Sequence, residues 1–236
     1  MKIKYDLHLH SCLSPCGDDS MTPVTIAGLS VLEGLDLIAL TDHNTAKNCP
    51  AFLTAAEAYG IVAIPGMELT TSEDIHVLCL FDSLDGALRF SDYVSEHSPN
   101  IKNKPDIFGR QQIMNEDDEV IGEEERLLII ACDISINDIA DIVPNYGGIA
   151  MPAHIDKDAN GVLAILGAIP PEAEFTAAEL SGRGDISLLP EGFVHLRSSD
   201  AHYPDAIGTA GGEIELDCDR DGMVKALFEY LKSGKA

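Results

Sequence analysis

The sequence has few basic residues and no long apolar run. It contains 15 Lys and Arg against 40 Asp and Glu, giving a formal net charge of −25. This imbalance predicts that no long nucleic acid is bound through a general electrostatic attraction. No apolar run reaches the roughly 18 residues that a transmembrane helix needs, so no membrane partner is expected. The first residues also lack the apolar segment of a secretory signal, which predicts a cytoplasmic protein.

Cysteines are sparse as well. Six cysteines in 236 residues are too few for a disulfide scaffold, and we expect them to be reduced thiols. The sequence shows no internal repeat and no low-complexity tract. Its hydrophobic content of 45% is sufficient for a substantial core, and its length suits one large domain. We therefore expect a single domain over residues 1–236.

Apolar segments alternate between strand-like and helix-like patterns along the chain. Residues 2–10 alternate with a period of two, as a strand does. The next segment predicts a helix with Thr22 as its N-cap, Pro23 in its first turn and Gly34 at its end. About seven such strand–helix units follow one another, a pattern typical of an α/β barrel of parallel strands.

The middle of the chain departs from this pattern. Residues at about 98–125 combine "SPNIKNKPDIFGRQQ" with the acidic "NEDDEVIGEEE", which predicts an insertion that could act as a lid. The segments "EEERLLIIAC" and "SINDIADIVPNYGG" predict two further helices, the second with Ser135 as its N-cap.

Histidines and carboxylates gather where predicted strands end or begin. His8 and His10 share one face of the first strand, because alternate strand residues point the same way. Strands of a parallel barrel end at one mouth, so side chains from distant segments can converge there. The other candidates at strand termini are Asp42, His43, Glu68, His76, His154, Asp200 and His202. Burying so many polar groups without partners would be costly, and imidazole with carboxylate suits Zn, Fe or Mn. His97 and His195 are expected to lie outside such a site.

The segments "DLHLHS", "TDHN", "PGMEL", "IHVL", "PAHID" and "SSDAH", in this order, resemble the successive motifs of the PHP (polymerase and histidinol phosphatase) family of phosphoesterases. The resemblance runs from residue 6 to residue 202. It implies a distorted seven-stranded (β/α)7 TIM-like barrel. It also implies two or three divalent metal ions, Zn, Fe or Mn, at the C-terminal mouth of the strands.

The resemblance also implies how the ligands are shared. The first ion would be held by His8, His10, Glu68 and Asp200. Glu68 would bridge to a second ion, with His76 and His154 as its other ligands. His43 and His202 would hold a third.

One further ligand is usual in the family soon after the first motif, and here three residues compete for that role. Asp18 is favoured because it is near the usual spacing and follows the turn residue Gly17. Asp19 and Cys16 are the alternatives, and a Cys16 thiolate would favour Zn.

Hydrolysis of phosphate esters is the chemistry implied. Two ions about 3.5–4 Å apart can bind phosphate oxygens and provide a metal-bound hydroxide. Asp42 is expected to orient an imidazole or a water, with Asp6 as a similar candidate. His43 or His202 could protonate the leaving group if the third ion is absent.

The substrate phosphate should meet cationic side chains. Arg183 is favoured because it stands between two glycines that allow the backbone to approach a ligand closely. Arg110 in the insertion, and Lys47 and Lys157 directly after two motifs, are further candidates. Arg197 is expected to be structural.

A small phosphorylated substrate, such as a nucleotide or a short oligonucleotide end, is the expected partner. Within the family, the resemblance is closest to the small stand-alone phosphoesterases. The insertion between His76 and His154 fits that branch better than the histidinol phosphatase branch. Three alternatives remain open. They are a histidinol-phosphate-type small-metabolite phosphatase, a metal-dependent amidohydrolase and a non-catalytic metal-binding barrel.

Overall fold

The computed structural model describes residues 1–234, which form ten strands and seven α-helices. The strands are β1 (Lys2–Leu9), β2 (Leu37–Leu40), β3 (Val62–Thr70), β4 (His76–Phe81), β5 (Gln112–Met114), β6 (Val120–Glu123), β7 (Gly148–Pro152), β8 (Ala177–Leu180), β9 (Val194–Arg197) and β10 (Gly212–Glu215). The helices are α1 (Pro23–Leu32), α2 (Cys49–Tyr59), α3 (Leu84–Glu96), α4 (Pro105–Phe108), α5 (Ile136–Ile142), α6 (Val162–Leu166) and α7 (Met223–Lys232). None of these helices has the length and apolar character that a membrane crossing requires.

Six strands form one mixed sheet in the order β10-β1-β2-β3-β4-β7. β1, β2 and β3 are parallel, whereas β3–β4, β4–β7 and β1–β10 are antiparallel pairs. The α/β class is confirmed, but the expected regular succession of parallel strands is not observed. The turn between β3 and β4 is too short to hold a crossover helix, so β4 returns beside β3. As a result, His76 at the start of β4 lies opposite Thr70 at the end of β3.

We call the edge at which β1, β2 and β3 end the mouth. The sheet is curled there by β8 and β9. β8 and β9 form a parallel pair. The amide of Ile155, after β7, donates to the carbonyl of Glu179 in β8 at 2.9 Å. Ala201, after β9, accepts from the amide of His10 at 3.0 Å. These bonds bring the ends of β7, β8, β9 and β1 together.

Alternating side chains of the sheet face two hydrophobic clusters. Ile38 and Leu40 belong to a cluster that also contains Phe52 of α2 and Phe90 of α3. Leu37 and Ala39 face the other way, into a cluster that includes the apolar face of α7. Sheet strands covered on both faces are therefore apolar almost throughout, and polar side chains are tolerated where the strands end.

The helices follow the capping signals closely. Thr22 is the N-cap of α1 and accepts a hydrogen bond from the amide of Thr25. Ser135 caps α5 in the same way through the amide of Asn137. Gly60 ends α2 with a left-handed backbone, φ 68°. All six cysteines are free, as predicted.

The helix predicted over residues 123–132 is not formed. The amide of Glu124 instead donates to Gln111, that of Leu127 to Ile101, and that of Cys132 to Thr70. The carboxamide of Asn44 also donates to the carbonyls of this segment. Backbone groups that are paired with other parts of the chain are not free for a helical ladder, and tertiary contacts override the local propensity.

The insertion at residues 98–125 contains α4 and the β5–β6 hairpin, and both side-chain and backbone hydrogen bonds attach it to the rest of the domain. The Asp118 carboxylate, at the hairpin tip, accepts from the Val24 amide at 3.2 Å, at the start of α1. The amide of Gln112 donates to the Cys12 carbonyl at 3.1 Å. The insertion therefore packs beside the loop that joins β1 to α1. Whether it acts as a lid remains a prediction.

Candidate metal centre

Glu68 lies at the centre of a buried polar cluster at the mouth. Its side chain is 1% exposed and its two carboxylate oxygens contact five imidazoles. The nitrogen-to-oxygen distances are 3.3 Å for His8, 3.2 Å for His10, 3.1 Å for His43, 2.8 Å for His76 and 3.0 Å for His154. The antiparallel return of β4 explains the contact with His76. A carboxylate surrounded in this way can serve two ions at once.

Residues 1–234 contain three overlapping sets of possible metal ligands, and within each set the ligand atoms lie within 4.8 Å of one another. They are His8, His10, Glu68 and Asp200; His43, Glu68 and His76; and His10, His43 and His202. The first set matches the group that the resemblance implied for the first ion. His154 adjoins the second set, since its Nε2 lies 3.3 Å from Nδ1 of His76. How the ligands divide among ions remains a prediction, because His10 and His43 each belong to two sets.

Hydrogen bonds fix the orientation of three of these imidazoles. Nδ1 of His8 donates to the Glu179 carboxylate at 2.9 Å, and Nδ1 of His202 donates to the Asp200 carbonyl at 2.8 Å. Nδ1 of His10 lies 2.9 Å from the hydroxyl of Ser14. A proton held on Nδ1 leaves the Nε2 lone pair free for a metal ion.

Asp42 acts on the cluster through Ser14. The Asp42 carboxylate accepts from the Ser14 hydroxyl at 2.7 Å and from the Ser11 amide at 2.7 Å. Because the Ser14 hydroxyl donates to Asp42, it accepts from Nδ1 of His10. Burial raises the pKa of Asp42, and His10 and the serine donors act against that rise. The orienting role expected for Asp42 would therefore act on His10 through Ser14, and it stays a prediction.

Asp6 stabilises the segment that carries two candidate ligands. Its carboxylate accepts from the amides of Ser199 at 3.0 Å and Gly208 at 2.9 Å. These bonds hold the loop that contains Asp200 and His202. Asp6 therefore contributes to the geometry of the cluster through this loop.

Strained backbone occurs at this cluster. His154, Asp200 and Asn44 have φ angles of 26°, 54° and 52°, in the left-handed region that side-chain-bearing residues seldom adopt. Such conformations persist where surrounding contacts hold them, and they concentrate at functional sites. The amide of Thr70 donates to the Asn44 carboxamide at 2.8 Å, which connects the end of β3 to the segment after β2.

Charges in the cluster compensate one another. Burial opposes the charged form of Glu68, but the imidazoles of His76, His8 and His43 hold its pKa well below the usual range. Burial likewise disfavours a charge on His10, yet the Asp200 and Glu68 carboxylates beside its Nε2 raise its pKa to about 9.

The buried atoms of the cluster that make no well-formed hydrogen bond within residues 1–234 include Oδ1 of Asp200 and Nδ1 of His43. A divalent ion would use these lone pairs, and the mixture of nitrogen and oxygen donors suits Zn, Fe or Mn. The residues present therefore fit a metal centre.

The predicted phosphate-binding cations lie in different surroundings. Lys157 reaches the cluster directly, where its ammonium group pairs with the Asp200 carboxylate. Lys47 pairs with Glu124, and Arg110 pairs with Glu123 inside the insertion. Arg183 is exposed and makes no hydrogen bond or ion pair with any residue of 1–234.

The three candidates for the additional ligand belong to none of the ligand sets found within residues 1–234. The Asp18 carboxylate accepts from the Ser20 amide at 2.9 Å. Asp19 accepts from the carboxamide of Gln112 at 3.0 Å. Cys16 is exposed and its thiol is free. His97 and His195 also stand outside these sets, in line with the prediction.

Glu179 and the two serines of the β1–α1 loop were missed by the sequence analysis. Glu179 lies in the buried strand β8 and is 1% exposed. A carboxylate near the end of an otherwise apolar strand was the available signal, as it was for Glu68. Ser11 and Ser14 carried no such signal, because serines are common in loops.

The sequence of this chain is similar to those of known proteins. The sequence model of the PHP domain matches residues 6–156. A 5'-3' exoribonuclease of Haemophilus influenzae is 34% identical over 83 residues. That region covers 34% of this chain but only 29% of the Haemophilus protein.

Solved structures share the fold. Endonuclease Q from Pyrococcus furiosus aligns with 98% of this chain and 56% of its own, with 18% identity and a TM-score of 0.70. Endonuclease Q in complex with a 27-mer duplex that carries an abasic lesion gives the same TM-score, with 19% identity over 98% of this chain and 57% of its own. A protein described as a metal-dependent phosphoesterase from Bifidobacterium adolescentis aligns with 95% of both chains, with 17% identity and a TM-score of 0.57.

These comparisons correct one expectation. The net charge predicted that long nucleic acid is not a partner, and that prediction is wrong. The fold is shared with an endonuclease bound to duplex DNA, and the matched curated relative is named an exoribonuclease. Net charge is a poor guide here because a bound metal ion can reverse the local field at a site.

Proposed function

The chain belongs to the PHP domain family of metal-dependent hydrolases, and from that premise we propose that it hydrolyses phosphate ester bonds in nucleotides and at nucleic-acid ends. The observation that carries the proposal is the contact of one buried carboxylate, Glu68, with five imidazoles. Divalent ions in such a centre neutralise the phosphoryl group and activate water. His8, His10, Glu68 and Asp200 would hold the first of them.

The chain's own residues would bind and orient the substrate beside this centre. Lys157 lies on the Asp200 carboxylate, so its positive charge is already at the mouth. His202 has a pKa lowered to about 4, by burial and by His10, and stays neutral near pH 7. If His202 holds no ion, its neutral imidazole can accept or pass a proton during the reaction.

The loop that carries Arg183 is held by several hydrogen bonds. The Arg197 guanidinium donates to the carbonyls of Ser181 at 2.7 Å and Gly184 at 2.6 Å, which gives Arg197 its expected structural role. The amide of Ser181 also donates to Asp156 at 2.7 Å. A Cβ at Gly184 would lie 2.8 Å from the Asp156 carboxylate, so a side chain there would push against the carboxylate that holds Ser181. These contacts hold the backbone while the side chain of Arg183 remains available for a substrate phosphate.

Nucleic-acid substrates are supported by the relatives and not by the net charge. The similarity to an exoribonuclease over 83 residues favours a substrate with a terminal nucleotide. The fold shared with Endonuclease Q makes lesion-bearing duplex a second substrate to test. The number of ions and their identity belong to the same proposal, with two or three Zn, Fe or Mn ions expected.

A substrate panel tests the proposal. Metal-loaded protein should release phosphate or nucleotides from nucleoside 3′,5′-bisphosphates and from short RNA or DNA with a terminal phosphate. The panel also includes a duplex with an abasic site, histidinol phosphate, an amide and a lactone. Turnover of the amide or the lactone alone would contradict the proposal in favour of an amidohydrolase. Turnover of histidinol phosphate alone would favour a small-metabolite phosphatase. Metal binding without turnover of any compound would favour a non-catalytic barrel.

Arg183→Ala is expected to lower kcat/KM by roughly ten- to a hundredfold, because a charged hydrogen bond contributes about 1.5–3 kcal/mol. Arg183→Lys should also be impaired, since lysine keeps the charge but loses the planar fork. Steady-state rates and metal content of each variant provide the measurement, and metal content should not change.

Arg89→Ala is the matched control, because Arg89 is an exposed arginine that pairs with Asp85 on α3. Its rates should equal those of the unmodified protein. Unchanged rates for Arg183→Ala on every substrate would assign the phosphate contact to Lys157 or Lys47 instead.

A further inference from the structure

Glu179 contacts two histidines that belong to different parts of the metal centre. One oxygen, Oε2, accepts from Nδ1 of His8 at 2.9 Å and from the backbone amide of His154 at 3.0 Å. The other oxygen, Oε1, is buried and has no hydrogen-bond partner among residues 1–234. Both hydrogen bonds that the Glu179 carboxylate accepts therefore come from His8 and His154.

The first contact sets the tautomer of His8. A carboxylate accepts hydrogen bonds and cannot donate them when ionised, so the proton of the neutral imidazole resides on Nδ1. The Nε2 atom then points toward Glu68 at 3.3 Å and Asp200 at 3.4 Å. The same contact makes the ring a stronger metal ligand, as carboxylate–histidine pairs do.

The second contact supports the backbone of His154. This residue has a φ angle of 26°, a conformation that costs of the order of 1–3 kcal/mol and needs external support. Its amide donates to Glu179, and its Nε2 then lies 3.0 Å from Glu68. The strained turn is therefore what directs the His154 side chain into the cluster.

We propose that Glu179 is a positioning residue that couples two metal positions, by fixing the tautomer of His8 and by holding the strained backbone of His154. The inference rests on the metal centre that the proposed function requires. Loss of the single carboxylate should weaken the ion held by His8 and the ion held by His154 together. The set formed by His10, His43 and His202 contains neither histidine, so an ion there should be unaffected.

Two substitutions separate charge from geometry. In Glu179→Gln the amide oxygen can take the place of Oε2 and accept both hydrogen bonds, while the negative charge is lost. In Glu179→Ala both donors lose their partner. Calorimetric titration of the metal-free proteins with Zn²⁺, combined with elemental analysis, gives the number of ions and the affinity of each.

The alanine variant is expected to lose roughly ten- to a hundredfold in affinity at two ions, and the glutamine variant is expected to show a smaller loss at the same two. ¹⁵N spectra of the histidine rings should show that one Nδ1 is no longer held protonated in Glu179→Ala. If the alanine variant does not fold, the glutamine variant decides the question. Unchanged affinity at every ion, or a loss confined to one ion, would overturn the coupling.

Glu73→Gln is the matched control. Glu73 also accepts from a backbone amide, that of Ile136 at 3.0 Å, and from the Ser135 hydroxyl at 2.7 Å, but it contacts no histidine of the cluster. Its substitution should leave all metal affinities unchanged. Failure of the unmodified protein to bind any metal would defeat the proposed function itself, whereas normal binding with unaltered Glu179 variants would defeat only this inference.

Discussion

Glu68→Gln is expected to remove two metal ions at once and to abolish most of the hydrolytic activity. Glutamine has nearly the same shape but carries no charge, and only one of its two terminal atoms can act as a ligand. Ions of this kind supply several kcal/mol of transition-state stabilisation. A loss of about 4 kcal/mol corresponds to roughly a thousandfold in kcat/KM. Elemental analysis and steady-state rates on the best substrate of the panel provide the measurement.

The comparison with His202→Ala makes this test specific. The ring of His202 stacks on that of His10, with the centroids 4.1 Å apart. His202 belongs to neither of the two sets that contain Glu68, so its loss should release at most one ion. Glu57→Gln, at an exposed position of α2, should change nothing. If Glu68→Gln and His202→Ala lose the same single ion, the proposed division of ligands is wrong.

Removal of bound metal by a chelator is expected to lower the melting temperature strongly. An ion present at a thousand times its Kd stabilises the folded state by about 4.1 kcal/mol. For a chain of this length, 1 kcal/mol shifts Tm by roughly 2–4 °C, so each ion released should lower Tm by about 8–16 °C. Thermal unfolding with and without chelator, followed by readdition of Zn²⁺ or Mn²⁺, tests this. An unchanged Tm in protein that has demonstrably lost its metal would contradict it.

The metal-free protein should also show a stability maximum near pH 6.5. Burial lowers the pKa of His202 from 6.5 to about 4, so the folded state binds fewer protons than the unfolded chain between these values, and stability falls as the pH falls. The pKa of His10 is raised to about 9, so its contribution is complete below pH 6.5 and is lost as the pH rises through 9. Urea unfolding in chelator across this range measures both limbs. His202→Asn should make the acidic limb shallower without abolishing it, because burial lowers the pKa of His43 as well.

Much of the candidate site could be predicted from the sequence because histidines and carboxylates occur at the ends of apolar strands. His8 and His10 share a strand face, and Asp200 and His202 follow another buried strand. Polar residues at such positions stand out from apolar surroundings, so their convergence could be predicted without coordinates. The family resemblance then supplied an order for the ligands that strand periodicity alone does not provide.

Other features depend on contacts that no local pattern records. The antiparallel return of β4 was not predicted, since an apolar run reads the same in either direction. The segment at 123–132 has a helix-like composition, but its backbone pairs with residues 101, 111 and 70. Glu179 was missed because its role depends on two histidines that are far from it in sequence. Asp18 fits the spacing of a ligand, yet its carboxylate bonds to Ser20 in a local turn.

The β3–β4 hairpin has a consequence for the order in which the centre assembles. Glu68 and His76 are separated by a short turn in the chain, so they can meet as soon as this hairpin forms, and such local contacts form fast. Asp200 can join His8 only after nearly the whole chain has been brought together, because they lie at opposite ends of the sequence. We therefore expect half of the centre to exist early in folding as an incomplete ligand set. The complete ligand set would form only after the last strands of the chain have packed against the first.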